Sequence, residues 1–224
     1  MSNALELKHI CKKFGDVSAL DDINFEVKKG EWVSVMGPSG SGKSTLVNIL
    51  SLMDTPTSGV YMLGGDDVSN LNAEDTLKFR REKIGLIFQQ FHLVPYLSAL
   101  ENVMIAQYYH SSVDEEDAKK ALEAVGLAHR LTHRPSQLSG GEQQRLCIAR
   151  SLINDPEILI ADEPTGNLDE ANEKVVLELF CKLREQGKTI LLVTHNPELG
   201  EYGDKIVYLR YGKLENIRIL KRDA

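Results

Sequence analysis

The sequence contains little cysteine, few aromatic residues and no long apolar run. Its three cysteines are odd in number and form no CxxC pair, a pattern that fits a reducing cytosol, where cysteines pack as small hydrophobic residues. No segment approaches the roughly 18 apolar residues that a membrane-spanning helix needs. The N-terminus also lacks the basic and apolar regions of a secretory signal. We therefore expect a cytoplasmic protein.

Basic residues are outnumbered by acidic ones, and the formal net charge is −7. This balance argues against a protein that binds nucleic acid through a basic surface, so no nucleic-acid partner is expected. Hydrophobic residues make up 42% and charged residues 26% of the 224 positions, as in an ordinary globular protein. Repeats and breaks in composition are absent, which predicts a single domain over residues 1–224.

Short apolar runs alternate with helical patterns along the chain. Two opening segments alternate like half-buried strands, and four later runs suit strands buried in a parallel sheet. The later runs are Trp32–Met36, Ile84–Phe88, 158–161 and Ile190–Val193. Helical patterns occupy residues 45–52, 114–125 and 175–183. Strands that alternate with helices predict an α/β fold with a mostly parallel sheet, to which the opening strands add an antiparallel part.

One part of the chain departs from this alternation. Between residues 90 and 150 the patterns indicate helices but no strands. We therefore predict a helical subdomain over about 90–150, inserted into a core formed by about 1–89 and 151–224.

A glycine-rich segment follows the run Trp32–Met36 and precedes a helical pattern. Its sequence, Gly-Pro-Ser-Gly-Ser-Gly-Lys-Ser-Thr, fits the phosphate-loop pattern GxxxxGK[ST] in the strand-to-helix context that the pattern requires. Glycines let backbone N–H groups turn towards phosphate oxygens, and the lysine supplies positive charge. The predicted ATP-binding residues are Gly37, Pro38, Ser39, Gly40, Ser41, Gly42, Lys43, Ser44 and Thr45. The Ser44 hydroxyl is also a predicted Mg²⁺ ligand.

Two adjacent carboxylates end the apolar run 158–161. Ligands bind at the carboxyl ends of parallel strands, so Asp162 and Glu163 are expected at the same sheet edge as the phosphate loop. We predict that Asp162 faces Mg²⁺ beside Ser44, and that Glu163 orients or deprotonates the attacking water. Two carboxylates in a loop are more often only solvated charges, but the buried strand before them favours a site.

A second glycine-containing segment, Leu-Ser-Gly-Gly-Glu-Gln-Gln-Arg at 138–145, decides between classes of ATPase. Ser139 and Glu142 form a capping box, yet a well-capped helix does not explain Gly140 and Gly141, because glycine is a poor helix former. At a helix start, glycines allow backbone N–H groups to approach an anion. With these residues the sequence resembles the ATP-binding cassette (ABC) transporter ATPases over essentially its whole length, since the segment is similar to that family's signature motif.

The resemblance implies roles for further residues. Phe14 is similar to the aromatic residue that stacks on adenine, and Gln89 to the glutamine that joins the Mg²⁺ site to the helical region. Asp169, in Asn-Leu-Asp, resembles the loop that crosses to the partner subunit. His195 is similar to the histidine that contacts the γ-phosphate. The resemblance thus adds Gln89 and His195 to Glu163 as catalytic residues, and Gln89 to the Mg²⁺ ligands.

The resemblance also implies two partners. A second copy of the chain would form a head-to-tail homodimer around two ATP molecules, with Ser139, Gly140, Gly141 and Glu142 of one copy acting on the nucleotide of the other. An integral membrane permease would dock near residues 89–100, a charge-free stretch crowded with large apolar side chains. The protein would then lie on the cytoplasmic face of the membrane.

Shorter segments of the sequence bear on the branch of the family and on the alternative functions. The segments around Gln89 and Asp169 resemble those of the macrolide-exporter and lipoprotein-release branch, although Cys147 and Asn196 stand where that branch has alanine and aspartate. An importer subunit stays open as an alternative, and a soluble, non-transport cassette is less favoured because no coiled-coil insertion or second cassette is present. A GTPase or small-molecule kinase would not explain the signature.

Overall fold

The computed structural model describes residues 2–110 and 112–220, which form two sheets and seven α-helices in an α/β arrangement. The predicted fold class is therefore confirmed. The strands are β1 (Asn3–Phe14), β2 (Val17–Lys28), β3 (Trp32–Met36), β4 (Ser58–Leu63), β5 (Asp66–Asp67), β6 (Ile84–Phe88), β7 (Ile158–Asp162), β8 (Ile190–Val193), β9 (Lys205–Arg210) and β10 (Lys213–Ile219). The helices are α1 (Lys43–Leu50), α2 (Ala73–Lys83), α3 (Ala99–Tyr108), α4 (Glu115–Ala124), α5 (Gly140–Leu152), α6 (Glu170–Glu185) and α7 (Pro197–Gly200).

The larger sheet has the strand order β10-β9-β3-β8-β7-β6. Its strands from β9 to β6 are parallel, and only β10 runs antiparallel to its neighbour. The smaller sheet, with the order β2-β1-β4-β5, is antiparallel throughout. This pairing agrees with the predicted antiparallel opening strands and mostly parallel core.

Side chains that alternate along the central strands divide the interior into two cores. In β7, Ile158 and Ile160 belong to the core shared with the smaller sheet and α1, whereas Leu159 and Ala161 belong to the core under α5 and α6. The same alternation occurs in β8 and in β3, where Trp32 contacts Phe180 on the helical side. Because successive side chains point to opposite faces of a strand, a sheet that is covered on both faces needs apolar residues at every position.

The helices between β6 and β7 agree with the predicted helical region, and no strand is assigned to the described residues from 90 to 150. Helix α4 begins after Asp114, whose side chain accepts from the backbone N–H groups of Glu116 and Asp117. Helix α5 is predominantly buried along one face and continues to Leu152, two residues past the predicted boundary. None of the described helices has the length and hydropathy required to cross a bilayer.

Sequence patterns did not indicate six of the described elements, namely β4, β5, α2, α7, β9 and β10. Helix α2 contains no buried residue, and β10 is exposed at nearly every position, so neither carries an apolar period. The helical pattern at 45–52 was misplaced, because α1 begins at Lys43 and ends at Leu50. Its start follows from the backbone of Gly42, whose left-handed φ of 104° ends the loop.

Candidate functional site

Four parallel strands deliver polar residues to one edge of the larger sheet. The loop after β3 leads to Lys43, β8 to His195, β7 to Asp162 and Glu163, and β6 to Gln89. All of these residues line one cavity of about 890 Å³. The carboxyl ends of adjacent parallel strands meet at one edge, which explains how residues from positions 43 to 195 come together.

The glycine-rich loop is held tightly against the fold. A side chain at Gly42 would lie 2.8 Å from the carbonyl oxygen of Ala19, and one at Gly37 would lie 2.2 Å from that of Leu209. Neither position therefore accepts a larger residue without movement of the backbone. The Lys43 ammonium donates to the carbonyl oxygens of Gly37 at 2.6 Å and of Pro38 at 3.1 Å. The Lys43 side chain therefore folds back along the loop and bonds to its first two residues.

The predicted loop residues divide into two groups by position. Ser39, Gly40, Gly42, Lys43, Ser44 and Thr45 line the cavity. Gly37, Pro38 and Ser41 are not among its lining residues, and Ser41 is buried behind the loop. The amide of Gly212, in the turn between β9 and β10, donates to the carbonyl oxygen of Ser41 at 3.0 Å. Ser41 therefore supports the loop from behind.

The two carboxylates after β7 differ in their surroundings. Burial raises the pKa of Asp162, and the neighbouring Glu163 carboxylate raises it further, whereas the Lys43 ammonium lowers it. Glu163 Oε1 lies 2.7 Å from Nδ1 of His195, and Thr194 Oγ1 donates to Oε2 at 3.4 Å. The backbone of Glu163 has a left-handed φ of 47°, which is uncommon for a residue other than glycine and is concentrated at functional sites.

Gln89 connects this edge to the segment before α6. Its amide Nε2 donates to Asn167 Oδ1 at 3.3 Å, and Asn167 Nδ2 donates back to the backbone oxygen of Gln89 at 2.9 Å. A side chain at Gly166 would lie 2.8 Å from Gln89 Nε2, so this glycine makes room for the glutamine. Asn167 was not among the predicted site residues, although it lies in the Asn-Leu-Asp segment noted in the sequence.

The signature helix α5 contacts the chain after Gln89. The Cys147 thiol donates to the carbonyl oxygen of Phe91 at 3.0 Å, and the Arg150 guanidinium donates to the carbonyl oxygens of Phe91 and His92 at 3.1 and 2.8 Å. Burial raises the pKa of Cys147 to about 11, so it stays a neutral thiol donor. These contacts tie α5 to the segment that follows Gln89, and sequence patterns had offered no partner for either side chain.

Some residues of the signature segment 138–145 contact other parts of their own chain. Gly141 is buried, and a side chain there would lie 1.9 Å from Asn172 Oδ1, so this glycine is required for the contact between α5 and α6. Asp169 is the N-cap of α6 and accepts from both the backbone and the side-chain nitrogen of Asn172. At Gly140 the nearest atom to an added side chain is 3.7 Å away, which leaves the exposed helix start accessible.

Ser139 and Glu142 form the predicted capping box. Ser139 Oγ accepts from the Glu142 amide at 3.2 Å, and the Glu142 carboxylate accepts from the Ser139 amide and from Arg130 Nε at 2.8 Å each. The Ser139 amide, partly opposed by burial and assisted by Arg130, lowers the pKa of Glu142 to about 2. Glu142 therefore stabilises the start of α5 from within its own chain.

We expect Glu142→Gln to destabilise the fold at neutral pH, because glutamine can complete the capping box but loses its charged contact with Arg130. The native pKa lies below the usual value of 4.5, so the carboxylate contributes fully above about pH 4.5 and loses this contribution as the pH falls towards 2. Urea denaturation of both proteins from pH 7 to pH 3 measures the effect. A difference in free energy of unfolding that does not shrink below pH 4.5 would contradict it.

Phe14 is not brought into the cavity. It lies at the end of β1, is 53% exposed and has the Lys12 ammonium 5.0 Å from its ring centre. Lys12 is itself held by Asp54 and by the carbonyl oxygen of Thr55. The cavity wall near this end is formed instead by residues 17–19, together with Tyr211 and Gly212. Tyr211 was missed in the sequence because no motif contains it.

The donors around the cavity include no soft or nitrogen-rich metal site. No cluster of three or more histidine, cysteine, aspartate or glutamate residues with metal-binding geometry occurs among the described residues. Ser44, Asp162 and Gln89 offer hydroxyl, carboxylate and amide oxygens at the cavity wall. Such hard oxygen donors suit Mg²⁺, which is usually held by few protein ligands together with substrate phosphates.

Comparisons with known proteins agree with this arrangement. The family model described as ABC transporter matches residues 20–166. An uncharacterized ABC transporter ATP-binding protein of Thermotoga maritima is 47% identical, and the match covers 97% of this chain and 96% of that protein. The macrolide export ATP-binding/permease protein MacB of Bdellovibrio bacteriovorus is 44% identical over 95% of this chain, which spans only 33% of MacB.

Among solved structures, the ATP-binding cassette MJ0796 is similar along its whole length. Its dimeric structure in a post-hydrolysis state, bound to ADP and Pi, superposes with a TM-score of 0.88 at 39% identity, and the match covers 98% of this chain and 100% of that one. The family match and these full-length similarities show that the chain belongs to the ABC transporter family, as an ATP-binding cassette that binds and hydrolyses ATP.

Proposed function

We propose that this chain is the ATPase subunit of a membrane exporter, that two copies enclose two ATP molecules, and that they drive a separate permease. The observation that carries the proposal is the single cavity at which the phosphate loop, Asp162, Glu163, His195 and Gln89 meet. A cavity lined by both a lysine-bearing loop and carboxylates suits a nucleoside triphosphate that is hydrolysed at its terminal phosphate.

The phosphate loop would bind the triphosphate of ATP. Ser39, Gly40 and residues 42–45 line the cavity at the start of α1, where the free N–H groups of a helix N-terminus favour anions, and Lys43 adds a full charge. Ser41 would support this loop from behind, and Gly37 and Pro38 would hold the Lys43 side chain through their carbonyl oxygens. Phe14 does not line the cavity, but its ring is exposed. It would therefore contact the adenine only if the base extends beyond the cavity wall.

The donor set at the cavity fits Mg²⁺. Ser44, Asp162 and Gln89 would hold the ion, since all three offer hard oxygen atoms beside the expected terminal phosphates. When bound, Mg²⁺ would neutralise charge on the phosphate oxygens. Burial and Glu163 raise the pKa of Asp162, and the Lys43 ammonium offsets part of that rise.

Glu163 would accept the proton of the attacking water, and His195 would contact the γ-phosphate. The contact of 2.7 Å between Glu163 Oε1 and His195 Nδ1 holds the two side chains in one orientation. Thr194 adds a second hydrogen bond to the carboxylate. A base that is fixed by two neighbours loses little freedom when water and nucleotide bind.

Two copies would assemble head to tail. The exposed start of α5, with Ser139 and Gly140, would cover the γ-phosphate in the other copy, and Asp169 would lie at the seam. Gly141 and Glu142 would act indirectly, by fixing this helix start through Asn172 and Arg130. The dimer of MJ0796 supports this arrangement as a property of a similar chain.

A permease would dock on the side of the molecule that carries α2, α3 and the segment after Gln89, and it would hold the subunit at the cytoplasmic face of the membrane. Of the large apolar residues between 88 and 100, Leu93 and Leu100 pack against the core, and only Tyr96 is largely exposed, at 72%. The buried Asn102 amide bonds to backbone groups of Val94, Leu97 and Ser98 and so fixes the turn that presents Tyr96.

A groove of about 360 Å³ is lined by α2, β6 and Tyr109, which follows α3, and Leu77 and Tyr109 are exposed along it. Exposed apolar surface of this kind marks a partner site.

We also propose that the chain is one domain, 1–224, with a helical subdomain at about 90–150. The similarity to MacB supports an exporter, and an importer subunit stays the second candidate.

We expect Tyr96→Asp to reduce capture of the permease by at least tenfold, because an unpaired charge would have to be desolvated at the contact. The subunit's own ATP affinity should stay unchanged, since Tyr96 does not line the cavity. The measurement is co-purification of the membrane protein with tagged subunit, alongside a nucleotide titration.

The matched control is Ile219→Asp, which is 78% exposed on β10, at the opposite edge of the larger sheet from β6. This control should capture the permease as the wild type does. Equal capture by Tyr96→Asp and Ile219→Asp would place the docking surface elsewhere. Leu97 is a poorer test position, because it is partly buried and its replacement would also disturb packing.

A further inference from the structure

The turn between β9 and β10 places an unusual residue at the wall of the nucleotide cavity. Arg210 pairs with Lys213 across a two-residue loop, and both loop residues have positive φ, 50° at Tyr211 and 74° at Gly212. A hairpin loop with two such residues strongly favours Asn-Gly or Asp-Gly. A tyrosine in this conformation is strained, because its Cβ crowds the backbone.

The strained tyrosine is also the most exposed large hydrophobic side chain of the described residues, at 82%. Its ring lines the cavity that contains Lys43 and Glu163, and the Arg210 guanidinium lies 5.5 Å from the ring centre. Arg210 is held in turn by Glu215 at 3.0 Å. An aromatic ring that is costly to place and is not buried indicates a role outside folding.

The position of the turn relative to the phosphate loop is fixed by backbone hydrogen bonds. The Gly212 amide donates to Ser41 O at 3.0 Å, and the Asp21 amide donates to Gly212 O at 2.7 Å. The backbone of the turn is therefore held against the phosphate loop and β2. Tyr211 lines the same cavity as residues 17–19, and a side chain added at the neighbouring Gly212 would lie 2.7 Å from the carbonyl oxygen of Ala19. An aromatic ring at a cavity wall suits the flat face of a nucleoside rather than a phosphate.

We propose that Tyr211 is a nucleotide-binding residue that packs its ring against the nucleoside of ATP. The inference rests on the proposed function, because it takes the phosphate loop as the triphosphate site. Phe14, the aromatic residue predicted to stack on adenine, does not line the cavity. Tyr211 supplies an aromatic surface at the cavity wall itself, and its contact with the nucleoside offsets the strain of the turn.

The test compares Tyr211→Asn with Tyr211→Phe by titration with ATP and with inorganic tripolyphosphate. Asparagine tolerates the left-handed backbone and removes the ring, whereas phenylalanine keeps the ring and the strain. We expect the asparagine variant to bind ATP about 3- to 10-fold more weakly and tripolyphosphate as the wild type does. It should also melt about 2 to 4 °C higher, because the strain is relieved. The phenylalanine variant should match the wild type in both titrations.

Two results would overturn the inference while leaving the proposed function intact. One is ATP binding by Tyr211→Asn within twofold of the wild type. The other is an equal loss for ATP and tripolyphosphate, which would mean that the turn acts only through the phosphate loop. Failure of the proposed function would look different, since wild-type ATP binding would then not depend on Lys43.

Discussion

Glu163→Gln should bind ATP with unchanged affinity and hydrolyse it about 10²- to 10⁴-fold more slowly, the usual effect of losing a general base. Glutamine keeps the shape of the side chain and a hydrogen bond to His195, but its amide does not accept a proton from water. The left-handed backbone at position 163 destabilises glutamate and glutamine to the same extent, so the fold should be retained. Release of inorganic phosphate, measured at saturating ATP and Mg²⁺, gives the rate.

The same variant should accumulate as an ATP-bound dimer, because hydrolysis would no longer separate the two copies. Light scattering should then show a doubling of the 25.0 kDa mass when ATP and Mg²⁺ are added. Glu198→Gln is the matched control, since Glu198 is an exposed carboxylate in the same part of the chain, at the start of α7. A Glu163→Gln protein that stays monomeric with ATP would argue against the shared site, and one that hydrolyses ATP at the wild-type rate would remove Glu163 as the base.

Lys43→Ala should lose about 100-fold in ATP affinity. The ammonium is the charged donor of the phosphate loop, and charge-assisted hydrogen bonds contribute about 1.5–3 kcal/mol each, or roughly one to two powers of ten in affinity. The lysine also bridges the carbonyl oxygens of Gly37 and Pro38, so its removal loosens the loop as well as removing charge. Equilibrium titration with ATP measures the loss.

Lys43→Gln separates these two effects, because glutamine retains a donor for the loop carbonyls without the charge. We expect it to bind ATP nearly as weakly as Lys43→Ala, with a melting temperature close to that of the wild type. Lys119→Ala, which removes an exposed lysine paired with Glu115 and Glu116 on α4, controls for a general change of charge. Wild-type affinity in both Lys43 variants would show that the loop does not bind the triphosphate.

Residues that are close in sequence were the most predictable part of the site. The phosphate loop, the pair Asp162 and Glu163, and the capping box of Ser139 and Glu142 each depend on local geometry, namely a strand end or a helix start. The central strands were equally predictable, because burial on both faces leaves a continuous apolar run. Elements without a buried face, such as α2 and β10, carry no such pattern and were found only in the structure.

The tertiary structure decided which distant residues meet. The strand order β3-β8-β7-β6 brings His195 to Glu163 across 32 positions, and Gln89 to Asn167 across 78. It also gives Gly141 a packing role against Asn172, which its place in the signature does not reveal. Local patterns specify how a segment folds and which face it buries, but contacts between segments depend on strand order and on the relative positions of the helices. For that reason the sequence by itself determined the local motifs that line the cavity, whereas only the fold placed Tyr211 at the cavity and Phe14 outside its wall.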